Sequence, residues 1–524
     1  MAYRLYGIGL WLMAASIPLS VTGMSLAQFI LGAAWLLAGD YQNRLKKFYF
    51  NRAALLWSGL YGLHLIGSLW SHDVNYLLHD LRIKLPLFTL PFLLASFPDW
   101  VHAYQKQVFR MFILGTATST FIGFGAWMGI LPVKEEITDV RQISLFISHI
   151  RLSLCIVFSV FLLLWFGMHH YKKKKYRLLG FDLLLIAWFL VFLNILESMT
   201  GVVILIVCLG VVALLLVFRN KHRIAGWTMI TVMVAAMTAL ATFIYSEYKK
   251  TYIPFDYLSI NPEEKTLSGN DYYHCFDCKV QENGTPVYIY ICEKELEEAW
   301  NRRSVLPYRG SDKLGHELKY TLIRYLASKG LRKDAAGVKA LTDEDIHAIE
   351  SGIANVLYRQ EGSLRVRLHK ILTDIRNYTL VNRISGSSLI QRLEYWRAGW
   401  HIFTENWMTG VGTGDVKQAF HDMYIKLDSP LEERWRLRTH NQYLTFALTF
   451  GIAGIIYFLI ALFYPLFRYR QAPLLFYVFV TIAALSFINE DTLETQAGIS
   501  FVMFFMSLFI TGLSRSRNFT LTTG

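Results

Sequence analysis

This sequence is short of the features that a soluble enzyme of 524 residues usually carries. Only 17% of it is charged, against 54% hydrophobic, and its mean hydropathy of +0.34 is too apolar for an ordinary soluble protein. It has no internal repeat and no low-complexity segment, which excludes solenoid arrays and disordered tails. It has neither GxxxxGK[ST] nor a GxGxxG following a strand. The glycine-rich Gly410-Val-Gly-Thr-Gly-Asp415 has no Lys-Ser/Thr behind it, so a backbone turn is expected there rather than a phosphate cradle. There are five cysteines. Cys155 and Cys208 lie in apolar runs and read as packing residues. Cys275-Phe-Asp-Cys278 with Cys292 has no second CxxC. A zinc site would need a fourth ligand such as His274, so a disulfide within this trio is the expectation for an oxidising compartment. The first apolar block lacks the pattern of a cleavable signal peptide. It runs on to Leu37 with a single break at 18–23, and is expected to form a helical hairpin.

What is present comes in blocks. Apolar runs fall near 5–20, 22–39, 53–70, 81–97, 107–131, 150–168, 178–197, 201–218, 226–245, 442–464, 473–489 and 498–513. Each is near the ~20 residues that cross a bilayer as a helix. The expected fold is an all-α polytopic membrane protein with about twelve transmembrane helices. The net charge of +13 does not point to nucleic acid, because the basic residues cluster between apolar runs. The clusters are 44–52, 172–177, 219–223, 468–470 and 515–517, and they flank alternate spans as the positive-inside rule requires. That alternation puts both termini in the cytoplasm and the tract 246–441 outside it. The chain therefore divides into an N-terminal bundle (1–245, about nine helices), an external loop domain (246–441) and C-terminal helices (442–524, about three).

The loop domain is polar with helical periodicity. Helices are expected over 313–328 (ending at Gly330), from the capping box Thr342-Asp-Glu-Asp345 to about Tyr358, over 364–378 and over 389–403. Pro286-Val-Tyr-Ile-Tyr-Ile-Cys292 reads as a short strand.

The most informative residue is His440, in Arg438-Thr439-His440-Asn441-Gln442-Tyr443-Leu444, where the polar tract meets a fresh apolar run. A titratable group at the mouth of a membrane helix is costly unless it is used. A helix N-terminus and neighbouring arginines both favour a neutral imidazole, able to accept a proton. Arg141, Arg151, Arg392, Arg397 and Arg438 are all expected near the outer membrane face. Arg151 is the sharpest of them, because it opens an apolar run in Ser148-His149-Ile150-Arg151. A guanidinium placed there wants an anionic partner.

Arg392-x3-Trp396, Gly410-Val-Gly-Thr-Gly, Thr439-His440-Asn441-x-Tyr443-Leu444 and Gly451-Ile-Ala-Gly454, in this order, resemble the O-antigen ligase/polymerase superfamily. So does the late stretch Asn489-Glu490-Asp-Thr-Leu-Glu494-Thr-Gln496-Ala-Gly498. The stretch from Arg324 to Gly337 resembles the enlarged loop of Bacteroidetes-type members. The resemblance implies a GT-C-like helical arrangement in the bacterial inner membrane, with the active site facing the periplasm. It implies a metal-independent, cofactor-free transfer of glycan from undecaprenyl diphosphate to the lipid A–core oligosaccharide. It places His440 as general base and Arg392 as diphosphate clamp. Family members often carry a further arginine at a Ser-Arg turn; here that turn reads Glu197-Ser198-Met199-Thr200-Gly201, and Arg151 is the expected substitute. Arg151, Arg438, Arg397, His149 and Asn441 form the expected substrate-binding set. Membrane lipids are the other expected partner, and nucleic acid is not one. An O-antigen polymerase or a protein O-oligosaccharyltransferase shares the donor and differs in acceptor. A flippase would need polar residues spread through the bundle and a two-fold repeat, and the sequence has neither.

Overall fold

A computed structural model of the protein describes residues 1–132, 140–219, 223–251, 255–359, 364–381 and 388–521. Most of it is helix, with one two-stranded sheet among the described residues, as expected of an all-α membrane protein. Eight of the described helices are long and apolar enough to cross a membrane: Arg52–Trp70, Pro98–Trp127, His149–Lys172, Tyr176–Ile195, Met199–Phe218, Arg223–Lys249, Gln442–Arg468 and Gln496–Leu513. Several of these begin on a side-chain cap that accepts an otherwise orphaned backbone N–H. Asn51, Ser148, Ser198 and Asn441 cap Ala54, Arg151, Gly201 and Leu444 in this way. Such groups find no water in hydrocarbon, which is why the caps recur.

The twelve apolar runs do not all become full-length helices. Runs near 5–20, 22–39 and 473–489 form the shorter helices Ala2–Ser16, Val21–Leu37 and Leu474–Asn489. The run at 81–97 is not one helix. An amphipathic helix, Val74–Lys84, stops there, and a second, Pro86–Ala95, starts at a proline. Pro86 lacks the N–H a continuing helix would need, but suits a first turn. Ten residues rise only about 15 Å, half a hydrocarbon core.

Compactness divides the chain into two units. The first comprises 1–233, 394–429 and 433–524; the second comprises 234–393 and 430–432. His440 and the glycine-rich stretch thus group with the apolar helices. Within the first unit the helices His149–Lys172 and Gln496–Leu513 are its middle, each with 83% of its apolar window buried. Phe112, Phe158, Phe479, Phe501 and Phe505 interlock between them, with ring centroids mostly 4.7–6.3 Å apart. The turn 490–495 enters this packed middle, which makes it a rigid place to mount side chains.

The second unit has its own core, in which Trp300, Tyr308, Leu322, Leu326 and Ile349 are fully buried. The helix expected from 313 forms only as Leu318–Ser328, followed by Gly330 at φ +69°. Thr342 and Asp345 form the expected reciprocal capping box, but the helix Asp343–Glu350 ends before Gly352 (φ +84°), short of Tyr358. The helices Leu364–Val381 and Ser388–Glu405 match the remaining expectations.

The strand expected over 286–292 does not form. Only Gln281–Glu282 pairs with Thr285–Pro286, and Ile291 makes isolated bridges. The reason is Lys333, whose buried ammonium donates to the carbonyls of Pro286 (2.7 Å) and Ile289 (3.0 Å) and so turns the chain. Burial pushes the Lys333 amine down to about 7, and a neutral amine still has the two N–H groups that these carbonyls use.

Cys275 and Cys278 are joined in a disulfide, Cα–Cα 5.3 Å, which removes both as zinc ligands, and Cys292 is a buried free thiol. Thiol labelling of the native, unreduced protein is expected to miss Cys275 and Cys278 and to reach Cys292 only after unfolding. Equal labelling of all three before reduction would contradict the pairing.

Candidate active site

The site is built on a broken helix. Gln442–Arg468 is interrupted at Gly451, whose φ/ψ of 65°/−162° only glycine adopts without strain. The break frees carbonyls, and the expected turn at Gly410–Asp415 uses them. Val411 N–H donates to Leu448 O at 2.9 Å and Gly412 N–H to Thr449 O at 3.0 Å. In return Ile452 N–H donates to Trp407 O at 2.8 Å. A Cβ on Gly410 would stand 2.2 Å from the Thr449 carbonyl, so this close approach requires glycine. Asp415 closes the turn by accepting from the backbone N–H groups of His72 and Asp73 and from His72 Nδ1. The glycines therefore repair a helix break and hold no nucleotide. Irregular backbone at this depth is tolerated only when it is satisfied in this way.

Beneath the N-terminal half of that helix lies a buried ionic frame. Lys84 Nζ stands 2.7 Å from Asp80 and 2.8 Å from Glu494, with all three side chains under a tenth exposed. Arg438 Nη1 donates to Glu494 Oε2 and to Tyr76 Oη, both at 3.0 Å. Gln442 donates its amide to Glu494 Oε1 (3.0 Å) and accepts the Leu493 N–H (2.6 Å). Burial alone would raise the Glu494 carboxyl; Lys84 and Arg438 outweigh it and hold it down at about 2. Burial works equally against the Arg438 cation, and Glu494, Tyr76 and Asp491 more than offset it, so its pKa is raised. The frame is two carboxylates against two cations, which is how buried charge becomes tolerable.

His440 sits above this frame, between Arg438 and the cap of the broken helix. Its backbone is left-handed, φ +48°. That conformation is uncommon outside glycine, costs on the order of 1–3 kcal/mol and tends to mark functional positions. Its Nδ1 stands 3.6 Å from Glu490 Oε2 and 3.7 Å from Asp491 Oδ1, beyond hydrogen-bond length, and is buried without a hydrogen-bond partner among the described residues. The Tyr395 ring lies over the imidazole, centroids 5.6 Å apart. Asp491 also faces Arg438 Nη2 at 3.7 Å. The sequence reading surrounded His440 with arginine charge alone; the fold sets two carboxylates beside it, and Glu494 balances Arg438. His440, Glu490 and Asp491 offer three donor atoms within 4.8 Å of one another, a spacing that a shared cation would also require. Residues so far apart in sequence give no motif for such a set.

The other expected site residues are dispersed. Arg438 is committed to the frame. Asn441 uses its Oδ1 to cap Leu444 N–H at 3.0 Å. Arg397 is half-exposed and pairs with buried Glu394 at 3.4 Å. Arg392 is half-buried on the Ser388–Glu405 helix, in the stretch grouped with the second unit. The Arg141 side chain lies outside the described residues. His149 and Arg151 occupy the first turn of the His149–Lys172 helix. Arg151 lines a crevice with Cys155, Thr492, Gly498 and Phe501, and its Nε is buried with no hydrogen-bond partner among the described residues. Thr492 follows Asp491 directly, so this crevice adjoins the turn that carries the carboxylates. At the turn lacking the family arginine, Thr200 accepts from Asn489 at 2.6 Å. A Cβ on Gly201 would meet Ser153, so this turn abuts the helix two residues beyond Arg151.

Asp80, Lys84, Tyr395 and the roles of Glu490, Asp491 and Glu494 were missed from sequence. The available signal was an Asp-x3-Lys pair just before Pro86, and three carboxylates between two apolar runs.

Residues 352–459 match the family model described as O-antigen ligase. The matched stretch includes Arg392, Arg397, the Gly410–Asp415 turn, Arg438, His440 and Gly451. No curated protein matches the chain.

Proposed function

We propose that this protein is a membrane-embedded glycosyltransferase of the O-antigen ligase type, a reading supported by the match of residues 352–459 to that family model. It moves a glycan from undecaprenyl diphosphate to the lipid A–core oligosaccharide at the periplasmic face of the bacterial inner membrane. The observation that carries this reading is His440, held in a left-handed conformation at the mouth of a broken helix, inside the matched stretch.

The chemistry follows from the residues. A sugar hydroxyl is a poor nucleophile until a base takes its proton, and His440 Nε2 is the base. As the acceptor oxygen bonds to the anomeric carbon, the bond from that carbon to the diphosphate oxygen breaks. Attack from the opposite face inverts the centre. The leaving diphosphate carries the developing charge, and Arg392 and Arg151 neutralise it by charge-assisted hydrogen bonds. Arg151 has an Nε without a hydrogen-bond partner among the described residues. Arg438 orients the site rather than touching substrate, because its guanidinium is already engaged by Glu494 and Tyr76.

The test is glycan transfer by purified protein from lipid-linked donor to lipid A–core acceptor, in excess chelator. Transfer is expected to persist. Activity lost to chelator and restored by a divalent ion would replace the arginine account with a cation at His440, Glu490 and Asp491. Transfer to a growing lipid-linked glycan, and none to lipid A–core, would make the protein a polymerase.

A further inference from the structure

We infer that Glu490 and Asp491 are positioning residues for His440, holding Nδ1 protonated and leaving Nε2 bare toward the acceptor hydroxyl. This rests on His440 being the base.

The argument is geometric. A neutral imidazole has one N–H and one bare nitrogen, and whatever faces one nitrogen decides the state of the other. Among the described residues, the groups that face this ring include Glu490 and Asp491 from the turn after Leu474–Asn489, Arg438 from its own segment and Tyr395 from Ser388–Glu405. Arg438 is neutralised by Glu494 at 3.0 Å. The two groups nearest Nδ1 are carboxylates, which accept and cannot donate when ionised. They stand at 3.6 and 3.7 Å from the buried Nδ1. An Nδ1–H pointing at them is favoured over a lone pair pointing at them. The gap exceeds a hydrogen bond by about half an ångström, and catalytic hydrogen bonds that are long without substrate commonly tighten when it binds.

The turn that carries the pair is fixed from below. Glu494 is held by Lys84, Arg438 and Gln442, and the Leu493 N–H by Gln442. Glu490 and Asp491 therefore have little freedom to turn away. As the imidazole takes the acceptor's proton and becomes a cation, the same two charges stabilise it, which a neutral amide cannot do.

The experiment is a mutant cycle on the full-length protein, measuring transfer rate and donor KM. The variants are Glu490→Gln, Asp491→Asn and their double, each in the wild-type and the His440→Ala backgrounds. In the wild-type background the double amide variant is expected to lose roughly 10²-fold or more in kcat, with donor KM within about twofold. With His440 already replaced, the same pair is expected to cost nothing further, because groups that act as a unit are not additive. Equal losses in both backgrounds, near-normal turnover of the double variant, or recovery on adding a divalent cation would each overturn the inference. Should the double variant not insert, either single amide variant runs the same cycle. Near-normal turnover of His440→Ala itself would refute the base assignment, a failure distinguishable from failure of the positioning pair.

Discussion

His440→Ala protein is expected to insert, to bind the lipid-linked donor normally and to turn over about 10²–10⁴-fold more slowly, the range typical of a positioned general base. The loss should fall on kcat, because the imidazole acts on the acceptor's proton in the transition state and grips nothing in the ground state. Arg392→Ala should fail differently. A diphosphate clamp binds the donor before and during transfer, so its loss should raise donor KM as well as lower kcat. Arg151→Ala should behave like Arg392→Ala, since its Nε has no other hydrogen-bond partner among the described residues. Lysine at 392 should restore only part of the activity, because a point charge does not reproduce a bidentate fork. The measurement is transfer from purified donor alongside donor binding. Wild-type turnover of His440→Ala would remove the base, and unimpaired donor binding by both arginine variants would remove the clamp.

The second large effect belongs to the frame. Lys84→Met deletes the cation that stands between Asp80 and Glu494, all three buried. Arg438 still faces Glu494, but Asp80 loses its 2.7 Å partner. Removing one member of a buried ion pair costs about 3–5 kcal/mol, because the other is left charged and desolvated. The variant should therefore lose heat resistance in detergent and, with the 490–494 turn released, lose transfer too. Asp80→Asn combined with Lys84→Met should recover part of the stability, since it removes the stranded charge. Thermal inactivation half-lives compare the three proteins without assuming reversible unfolding. A Lys84→Met protein as heat-resistant as wild type would show that the frame contributes nothing to stability.

Much of this is legible in the sequence. The apolar blocks are a solubility property of local sequence, so they marked the membrane helices directly. The capping box at Thr342 is local too, set by residues three positions apart, and the glycines of the Gly410–Asp415 turn show in the sequence although the partners that require them lie at 72–73 and 448–449. His440 stood out because a titratable side chain at the entrance to an apolar run is costly wherever the rest of the chain goes.

Other features depended on partners distant in sequence. The alternating residues after Pro286 have the composition of a strand, but Lys333 claims the carbonyls a neighbouring strand would have used. The run 81–97 looks continuous in average hydropathy, which hides both the break at Pro86 and the charge of Lys84, and Lys84 is buried where Asp80 and Glu494 meet it. Arg438 stood among the expected substrate-binding arginines, and only the fold shows its guanidinium engaged by Glu494 and Tyr76.

By itself, then, the sequence determined that the chain is a helical membrane protein, which residue stands at the mouth of its tenth apolar run, and where the glycine turn precedes it. The tertiary structure alone decided which charges neutralise one another and which are left to act. Hydrophobicity is a property of each residue and its near neighbours, whereas the energy of a buried charge is set by whatever the fold brings within a few ångströms of it.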